Sequence, residues 1–398
     1  MSRFRMYPTL AQQVALREQC GHARYVWNLA LEQWSMWRRD KGPTPSFAEQ
    51  CRQLTSARAA SDWLRSGSQT VQQQALRDLD RAIKNFSAGT HRRPTWRKAG
   101  RREGFRIVGG QATRVVRVSR KWGRVLVPKV GWVRFRLSRA VPTAKSYRIN
   151  LDPAGRWHIA FAVVPEPIAA PGTGEVVGVD RGVVVSAALS TGELLYCPGL
   201  SEGEEARLNL LQRRMSRSRR GSKRRERARA SIARLAARAR DRRKDWIEKV
   251  STSLARRFDT IRVEGLQIPQ MTRRPYPKPD PERPREFLPN RRRAKAALNR
   301  GILTNAWGAV VRRLTHKAAG RVEKVNPAFT SQTCSDCGHC APESRESQAV
   351  FRCVACGHRA HADVNAAVNI AAGRAVSARR ETPARVSLKR EPQLATSP

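Results

Sequence analysis

The chain has 398 residues, which predicts roughly two to four domains, and 40% of them are hydrophobic, which excludes wholesale disorder. It carries 78 Lys and Arg against 32 Asp and Glu, a formal net charge of +46, so we expect a partner rich in phosphate, namely a nucleic acid. The N-terminus lacks the apolar core of a secretory signal, and every apolar run is too short to span a bilayer. We therefore expect a soluble, cytoplasmic, nucleoid-associated bacterial protein without a membrane partner.

The first half of the chain changes from a helical to a strand-like pattern. Residues 1–8 predict a short basic strand, and apolar residues recur with a helical period over 9–86. Short alternating runs separated by turn residues fill 105–164 and predict an antiparallel barrel or meander. Residues 166–174 have the Pro- and Gly-rich composition of a linker.

The second half of the chain alternates strands and helices. The segment EVVGVDRGVVVSAAL (175–189) predicts two buried strands joined by a turn, with Asp180 in the middle of the first. Residues 203–257 predict a long basic helix that breaks at Gly221-Ser222. The later elements are predicted as a strand at 260–264, a mobile Pro-rich loop at 274–290, a helix at 294–318, a strand at 321–325, a helix ending at Gly373 and a disordered tail at 374–398.

Two Cys-x₂-Cys pairs, fifteen residues apart, have the spacing of a zinc ribbon. A glycine follows each pair, where the knuckle turn favours a left-handed conformation. Four thiolates close the coordination shell of one Zn²⁺, so we expect a structural ion that performs no chemistry. An iron–sulfur run that also uses Cys340 is the alternative, but its Cys-Pro continuation is missing. The predicted zinc ligands are Cys334, Cys337, Cys353 and Cys356.

Three isolated acids stand in strand-like or tightly patterned contexts in this basic chain: Asp180, Glu264 and Asp363. A buried carboxylate on a central strand is unfavourable unless a cation pairs with it. Cleavage of a phosphodiester by two Mg²⁺ ions requires carboxylates that hold both ions. The residues alone leave an alternative open, in which Glu264 is an ordinary strand-end acid and Asp363 a helix N-cap.

Basic residues concentrate in two regions that we expect to bind phosphates by charge and shape. Residues 213–244 contain 16 Lys and Arg but only two acids, and the alternating strands carry further arginines. The predicted nucleic-acid-binding residues are Arg213, Arg214, Arg217, Arg219, Arg220, Lys223, Arg224, Arg225, Arg117, Arg134 and Arg136.

Several blocks of the sequence resemble TnpB, the RNA-guided nuclease of certain insertion sequences, and the compact type V CRISPR effectors that are related to it. These blocks are GVDRGVVVSAALSTGE, RRGSKRRERARASIARL, VEGLQIPQMTR, NRGILTNAWGAVVRRLTHKA and FRCVACGHRAHADVNAAVNIAAG. On this resemblance Asp180, Glu264 and Asp363 are the RuvC catalytic acids, and the cysteines belong to a target nucleic-acid-binding insertion. The sequence departs from the family at Arg181, His361 and Val368, none of which is a predicted metal ligand.

The resemblance implies an α/β multidomain protein. An RNase H-like RuvC domain would span 175–329 and 360–373, with the zinc ribbon inserted at 330–359. A β-barrel wedge domain would comprise 1–8 and 87–165 and carry a helical recognition domain at 9–86.

The function that the resemblance implies is RNA-guided cleavage of double-stranded target DNA. The protein would recognise a short flanking duplex motif, form an R-loop with its guide RNA and cut with two Mg²⁺, and we expect a monomer. A zinc-ribbon nucleic-acid binder without catalysis and a DNA transposase remain alternatives.

Overall fold

The computed structural model describes residues 2–36, 44–283 and 285–373 and divides the chain into two compact units. Unit 1 comprises residues 1–166 and 200–241, and unit 2 comprises residues 167–199 and 242–398. The tail predicted at 374–398 lies outside the described residues. Within the described ranges, no helix is both long enough and apolar enough to cross a bilayer.

Unit 1 combines helices with two antiparallel sheets. Its helices are α1 (Leu10–Ser35), α2 (Phe47–Ala60), α3 (Asp62–Ser66), α4 (Gln69–Ser87), α5 (Glu202–Arg217) and the first part of α6 (Lys223–Arg257), which continues into unit 2. Its strands are β1 (Ser2–Arg5), β2 (Gly104–Val108), β3 (Val115–Arg117), β4 (Trp122–Val127), β5 (Gly131–Arg136), β6 (Ser146–Leu151) and β7 (Trp157–Phe161).

The two sheets of unit 1 have the strand orders β1-β7-β6-β2 and β3-β4-β5. Apolar and polar residues alternate along the strands, so that each sheet buries one face, and the buried side chains join those of α1 and α4 in one core. Phe4 meets Phe135 and Phe161 edge to face in this core, Phe135 and Phe161 are tilted against each other, and the ring centroids are 5.6 to 6.2 Å apart. The predicted antiparallel strands are therefore present.

Unit 2 is built on a mixed five-stranded sheet of order β10-β9-β8-β11-β14. Strands β8, β11 and β14 are parallel, whereas β9 and β10 are antiparallel to their neighbours. The strands are β8 (Val176–Asp180), β9 (Ala187–Leu189), β10 (Leu194–Leu195), β11 (Thr260–Glu264), β12 (Lys278–Pro279), β13 (Phe287–Leu288), β14 (Val322–Val325), β15 (Val350–Arg352) and β16 (Arg359–His361). The helices besides α6 are α7 (Ile268–Met271), α8 (Arg292–Thr304), α9 (Trp307–Lys317) and α10 (Ala362–Ala371).

Three predicted elements of unit 2 differ from the structure. The segment predicted as a loop at 274–290 contains the short antiparallel strand pair β12-β13. The helix predicted at 294–318 is two helices, because Ala306 adopts a φ of 58° and the side chain of Asn305 bonds Val183 O and Ser186 Oγ. Asp180 was expected in mid-strand, but β8 ends at this residue, where its Oδ1 accepts the N–H of Arg181 at 2.9 Å.

The predicted break in the basic helix is confirmed. Helix α5 begins in a capping box of Ser201 and Glu204 and ends at Arg217, and α6 begins at Lys223. Between them Gly221 has a φ of 82°, and Arg225 donates to the carbonyl oxygens of α5 and the turn. A glycine in the left-handed region thus permits the reversal.

Gly178 allows α10 to pack directly on β8. A Cβ at this position would lie 1.9 Å from Ala367 O and 2.4 Å from Ala371 N, distances that no side chain tolerates. The helix carries Asp363 and the strand carries Asp180, so this contact sets how the two acids approach each other.

We expect Gly178→Ala to destabilise unit 2 by about 2 kcal/mol or more, because the new methyl group forces α10 away from the sheet. Thermal unfolding followed by circular dichroism measures the loss. The matched control is Gly199→Ala, where an added Cβ meets no atom within 4 Å. Equal midpoints for the two variants would contradict the packing argument.

Candidate functional site

Asp180 and Glu264 lie side by side at one edge of the unit 2 sheet. Each is the last residue of its strand, and β8 and β11 are parallel neighbours in which Val179 lies opposite Val263. Because parallel neighbours end at the same edge of a sheet, both carboxylates project from this edge. The charge of the Glu264 carboxylate acts directly on its neighbour Asp180 and disfavours ionisation of the Asp180 carboxyl.

Asp363 reaches the same place from α10. The helix begins at Ala362, and the N-cap is His361, whose Nδ1 accepts the N–H of Asp363 at 3.2 Å. The alternative in which Asp363 is itself the N-cap is therefore wrong. Asp363 is 7% exposed, and the charge of its carboxylate acts on Asp180. The structure therefore brings the three predicted acids together.

The electrostatics of the site reflect this crowding. Burial of Asp180, together with the neighbouring charges of Glu264 and Asp363, raises the pKa of its carboxyl to about 7. Burial also raises the pKa of Glu264, against the opposing effect of Arg181. Without a bound cation, the site therefore holds less negative charge at neutral pH than three free carboxylates would.

Two arginines next to the acids were missed as site residues. Arg345 donates from Nη2 to Asp363 Oδ1 at 3.1 Å and comes from the cysteine module. Arg181, noted in the sequence only as a departure from the family, is 6% exposed and donates through Nη2 to the backbone carbonyl of Glu264. Arg345 lies in a loop, so no periodicity signalled its contact with Asp363.

Polar contacts tie the cysteine module to the elements that carry the acids. Thr330 donates from Oγ1 to Glu264 Oε1 at 3.3 Å. Asn365 on α10 accepts the N–H of Ser335 at 2.9 Å and donates to Thr333 O at 2.8 Å, and Asn369 one turn later donates to the same carbonyl at 2.7 Å. Both asparagines are buried, so these hydrogen bonds take the place of bonds to water.

The four predicted zinc ligands form one cluster, with all sulfur atoms within 4.8 Å of one another. The Sγ atoms of Cys334 and Cys356 are 3.7 Å apart, and those of Cys337 and Cys353 are 3.6 Å apart. A tetrahedral Zn²⁺ with Zn–S bonds of about 2.3 Å has sulfur–sulfur edges of about 3.8 Å, so the cluster has the size of a zinc site.

The two halves of the cluster are equivalent knuckles. In each, the glycine after the second cysteine has a positive φ, 77° and 73°, and donates its N–H to the carbonyl of the first cysteine. The pKa of Cys353 is lowered to about 6, chiefly by the backbone N–H of Cys356, which favours a thiolate there. Burial raises the pKa of Cys334, and hydrogen bonds with the other thiols raise that of Cys356 to about 12. In the described part of the chain, no other group of three or more Cys, His, Asp or Glu converges this tightly.

The predicted nucleic-acid-binding residues fall in two places of unit 1. Seven of the eight in the basic helical stretch are exposed near the α5–α6 turn, whereas Arg225 is half-buried and holds that turn through Met215 O and Ser218 O. Arg117, Arg134 and Arg136 are exposed on the sheet β3-β4-β5.

Comparison with protein families gives three matches along the chain. A Cas12f1-like TNB domain model matches residues 307–370, which include the cysteine module and α10. A model described as a probable transposase matches residues 158–274, which include Asp180 and Glu264. A helix-turn-helix domain model matches residues 2–42.

Full-length relatives and a solved structure agree with these matches. The chain is 32% identical over 385 residues to the putative RNA-guided DNA endonuclease InsQ of Escherichia coli, covering 94% of this chain and 92% of the relative. A putative RNA-guided DNA endonuclease of Streptomyces pristinaespiralis is 31% identical over 414 residues, covering 99% and 96%. A Cas12f1–sgRNA–target DNA complex matches 90% of this chain and 83% of that chain with a TM-score of 0.54 at 15% identity, which shows a shared fold.

The fold and the site define a mixed α/β protein that combines a carboxylate cluster with a four-cysteine module. The chain belongs to the TnpB family, as its similarity to the two full-length relatives shows. The resemblance drawn from its sequence motifs is therefore confirmed.

The raised pKa of Asp180 predicts a pH dependence of stability. Folding raises this pKa from 3.8 to about 7, so the stability contributed by the protonated form is present at low pH and is lost as the pH rises through about 7. In EDTA we therefore expect Asp180→Asn to be more stable than the wild type at pH 8. The difference in free energy of unfolding between the variant and the wild type should be about 2 kcal/mol larger at pH 8 than at pH 5. Thermal midpoints at the two pH values measure the difference.

Asp152 provides the control. Burial would raise the pKa of its carboxyl, but hydrogen bonds from Arg156 and His158 lower it to about 2. Both its folded and its ordinary pKa lie below 5, so the effect of Asp152→Asn should not change between pH 5 and 8. If the effect of Asp180→Asn on stability is also the same at pH 5 and pH 8, the raised pKa assigned to Asp180 is wrong.

Proposed function

We propose that the chain is an RNA-guided DNA endonuclease whose RuvC-type nuclease site consists of Asp180, Glu264 and Asp363. The observation that carries this proposal is the convergence of three carboxylates at one edge of the unit 2 sheet, on elements that are far apart in the sequence. The guided mode of action is supported by the two full-length relatives, both of which are named putative RNA-guided DNA endonucleases.

The donor set fits Mg²⁺. All three groups are carboxylates, the hard oxygen ligands that this ion prefers. Their crowding, seen in the raised pKa of Asp180, is the condition that a divalent cation relieves. Two Mg²⁺ held by Asp180, Glu264 and Asp363 would activate the attacking water and stabilise the leaving oxygen of the phosphodiester.

The surrounding residues hold these carboxylates in position. Arg181 fixes the backbone at Glu264, and Thr330 bonds the Glu264 carboxylate directly. Arg345 bonds only one oxygen of Asp363, and the other oxygen, Oδ2, faces the backbone at Gly182, where an added Cβ would lie 3.7 Å away. The protein therefore holds these carboxylates in position and leaves part of their capacity to bind a cation.

The cysteine module would hold one structural Zn²⁺ through Cys334, Cys337, Cys353 and Cys356. Its role would be to keep Thr330, Ser335 and Arg345 in contact with the acids and with α10. Zinc would thus act on cleavage indirectly, by keeping the positions of Glu264 and Asp363.

The remaining parts would bind the nucleic acids. Base pairing with a guide RNA would read the target DNA, after recognition of a short flanking duplex motif, and the basic residues of unit 1 would hold the backbones. In this division of labour residues 1–8 and 87–165 form a wedge domain, 9–86 a recognition domain, and 175–329 with 360–373 the RuvC domain around the insertion at 330–359.

We expect Asp180→Ala, Glu264→Gln and Asp363→Asn each to lower Mg²⁺-dependent cleavage of guide-matched DNA by about a hundredfold or more, because each removes a charged oxygen ligand. Binding of the same DNA should persist. Single-turnover cleavage and a gel-shift assay with the copurified RNA complex measure the two effects.

Asp259→Asn is the matched control, because this half-buried acid stands next to the opposite end of β11 and accepts the backbone N–H groups of Gly172 and Gly174. It should cut like the wild type. Undiminished cleavage by the three site variants would contradict the nuclease assignment. Joining of DNA ends without guide-dependent cutting would favour a transposase.

We expect Cys353→Ser to lower the zinc content from about one ion per chain to near zero and to reduce cleavage together with it. Cys340→Ser is the control, since Cys340 lies in the same module but outside the four-sulfur cluster. Elemental analysis of purified protein measures the ion. Equal zinc content in both variants would show that the four sulfurs are not the ligands.

A further inference from the structure

The loop that follows Asp180 forms one wall of the carboxylate site. We call residues 181–186, between β8 and β9, the post-Asp180 loop. Its first backbone N–H, that of Arg181, donates to Asp180 Oδ1 at 2.9 Å. One residue further, the backbone of Gly182 faces Asp363 Oδ2, which would lie 3.7 Å from an added Cβ. The path of this loop therefore affects how far apart Asp180 and Asp363 are held.

Two side chains at the junction of α8 and α9 hold the post-Asp180 loop by its carbonyl oxygens. Trp307 donates from Nε1 to Gly182 O at 3.0 Å, and Asn305 donates from Nδ2 to Val183 O at 2.6 Å. The Oδ1 atom of Asn305 in turn accepts the hydroxyl of Ser186 at 2.6 Å. Asn305 therefore bridges the loop from Val183 to its last residue.

The backbone of the junction brings both side chains to one loop. Ala306, which lies between them, has a φ of 58°, a left-handed conformation that is unfavourable for a residue with a Cβ. Gly301, one turn before Asn305, lets α8 approach the loop, since an added Cβ would lie 2.5 Å from Val183 Cγ1. Strained residues such as Ala306 cluster at active sites, where the surrounding contacts maintain them.

Asp180 depends on this junction more than the other two acids do. Those acids are held through their own carboxylates, which Thr330 and Arg345 bond directly. The carboxylate of Asp180 accepts the first N–H of the post-Asp180 loop. Its position therefore follows the loop backbone, which Asn305 and Trp307 hold.

We propose that Asn305 and Trp307 are positioning residues of the nuclease site, which hold the post-Asp180 loop so that Asp180 and Asp363 stay close enough to share a Mg²⁺. This inference rests on the proposed function. Mg²⁺ demands near-ideal octahedral geometry, so a small displacement of one carboxylate weakens its binding. Residues that orient metal ligands from outside the coordination shell change metal affinity or activity by about 10- to 100-fold. Asn305 and Trp307 act in this way through the backbone of the loop.

The Mg²⁺ requirement of cleavage tests the proposal. The double variant Asn305→Ala/Trp307→Phe removes both donors and keeps an aromatic ring at 307. In the copurified RNA complex, we expect the Mg²⁺ concentration for half-maximal cleavage to rise about tenfold or more, while the affinity for guide-matched DNA stays within about twofold of the wild type. Single-turnover cleavage over a series of MgCl₂ concentrations and a gel-shift assay measure the two quantities.

Two single variants are matched controls. Asn299→Ala removes an asparagine of the same helix, whose Nδ2 bonds Thr272 O at 2.9 Å and not the loop. Trp246→Phe replaces a half-buried tryptophan that packs against the core of unit 2. Both should keep the Mg²⁺ requirement of the wild type. If the double variant and the controls need the same Mg²⁺ concentration, or if the double variant only cuts more slowly at every concentration, the proposal is wrong.

Hydrogen–deuterium exchange of the wild-type RNA complex tests the same coupling without a cleavage assay and without a variant of the junction. Coupling is reciprocal, so a cation that needs the ordered loop also orders the loop and the junction. Relative to EDTA, MgCl₂ should slow exchange about fivefold or more in peptides covering 181–186 and 301–310, but not in Asp180→Ala.

The exchange results separate the positioning role from the nuclease assignment. Protection of 181–186 alone, or of neither segment, would overturn the role of Asn305 and Trp307, while loss of cleavage in Asp180→Ala would still support the nuclease. Cleavage that survives in Asp180→Ala would instead reject the nuclease assignment on which the inference rests.

Discussion

The crowding of three carboxylates at one edge of the sheet is the constraint on which the architecture of unit 2 depends. Asp180, Glu264 and Asp363 are held close enough that burial, together with the charges of Glu264 and Asp363, raises the pKa of Asp180 to about 7. A loop would relax and separate such charges. Two of the acids instead end parallel strands that are fixed by their hydrogen-bond register, and the third lies in the first turn of a helix packed against one of those strands.

The cysteine module takes part in the same constraint. Asn365 and Asn369 bind its backbone to α10, Thr330 reaches Glu264, and Arg345 pairs with Asp363. Each contact comes from a segment with little regular structure, which needs another source of rigidity. Two matched knuckles around four converging sulfurs supply it through their backbone hydrogen bonds, and a Zn²⁺ held by these sulfurs, as proposed, would close the segment on itself. The four-cysteine cluster and the carboxylates are therefore connected through hydrogen bonds, although they share no residue.

The sequence was most informative where structure is decided locally or by strong patterns. The cysteine quartet followed from spacing because a knuckle is formed by adjacent residues. Asp180 and Glu264 were identified because an acid within or at the end of an apolar strand is conspicuous. The break at Asn305 was missed because it depends on bonds to Val183 and Ser186, which lie far away in the sequence. Arg345 was missed for the same reason: only the folded chain places its loop against Asp363.

The distribution of charge within unit 1 argues against treating its basic character as one uniform property. Several arginines are bound within the fold. Arg106 and Arg148 form ion pairs with Asp78, Arg156 forms ion pairs with Asp152 and Asp241, and Arg225 donates a hydrogen bond to the turn before α6. Arg124 and Arg134 lie opposite each other on β4 and β5, and within the described residues no acid forms an ion pair with either. A net charge of +46 measured over the whole chain hides this difference. An external phosphate chain gains most at arginines that face one another and pair with no described acid, because it removes an existing repulsion as well as adding an attraction.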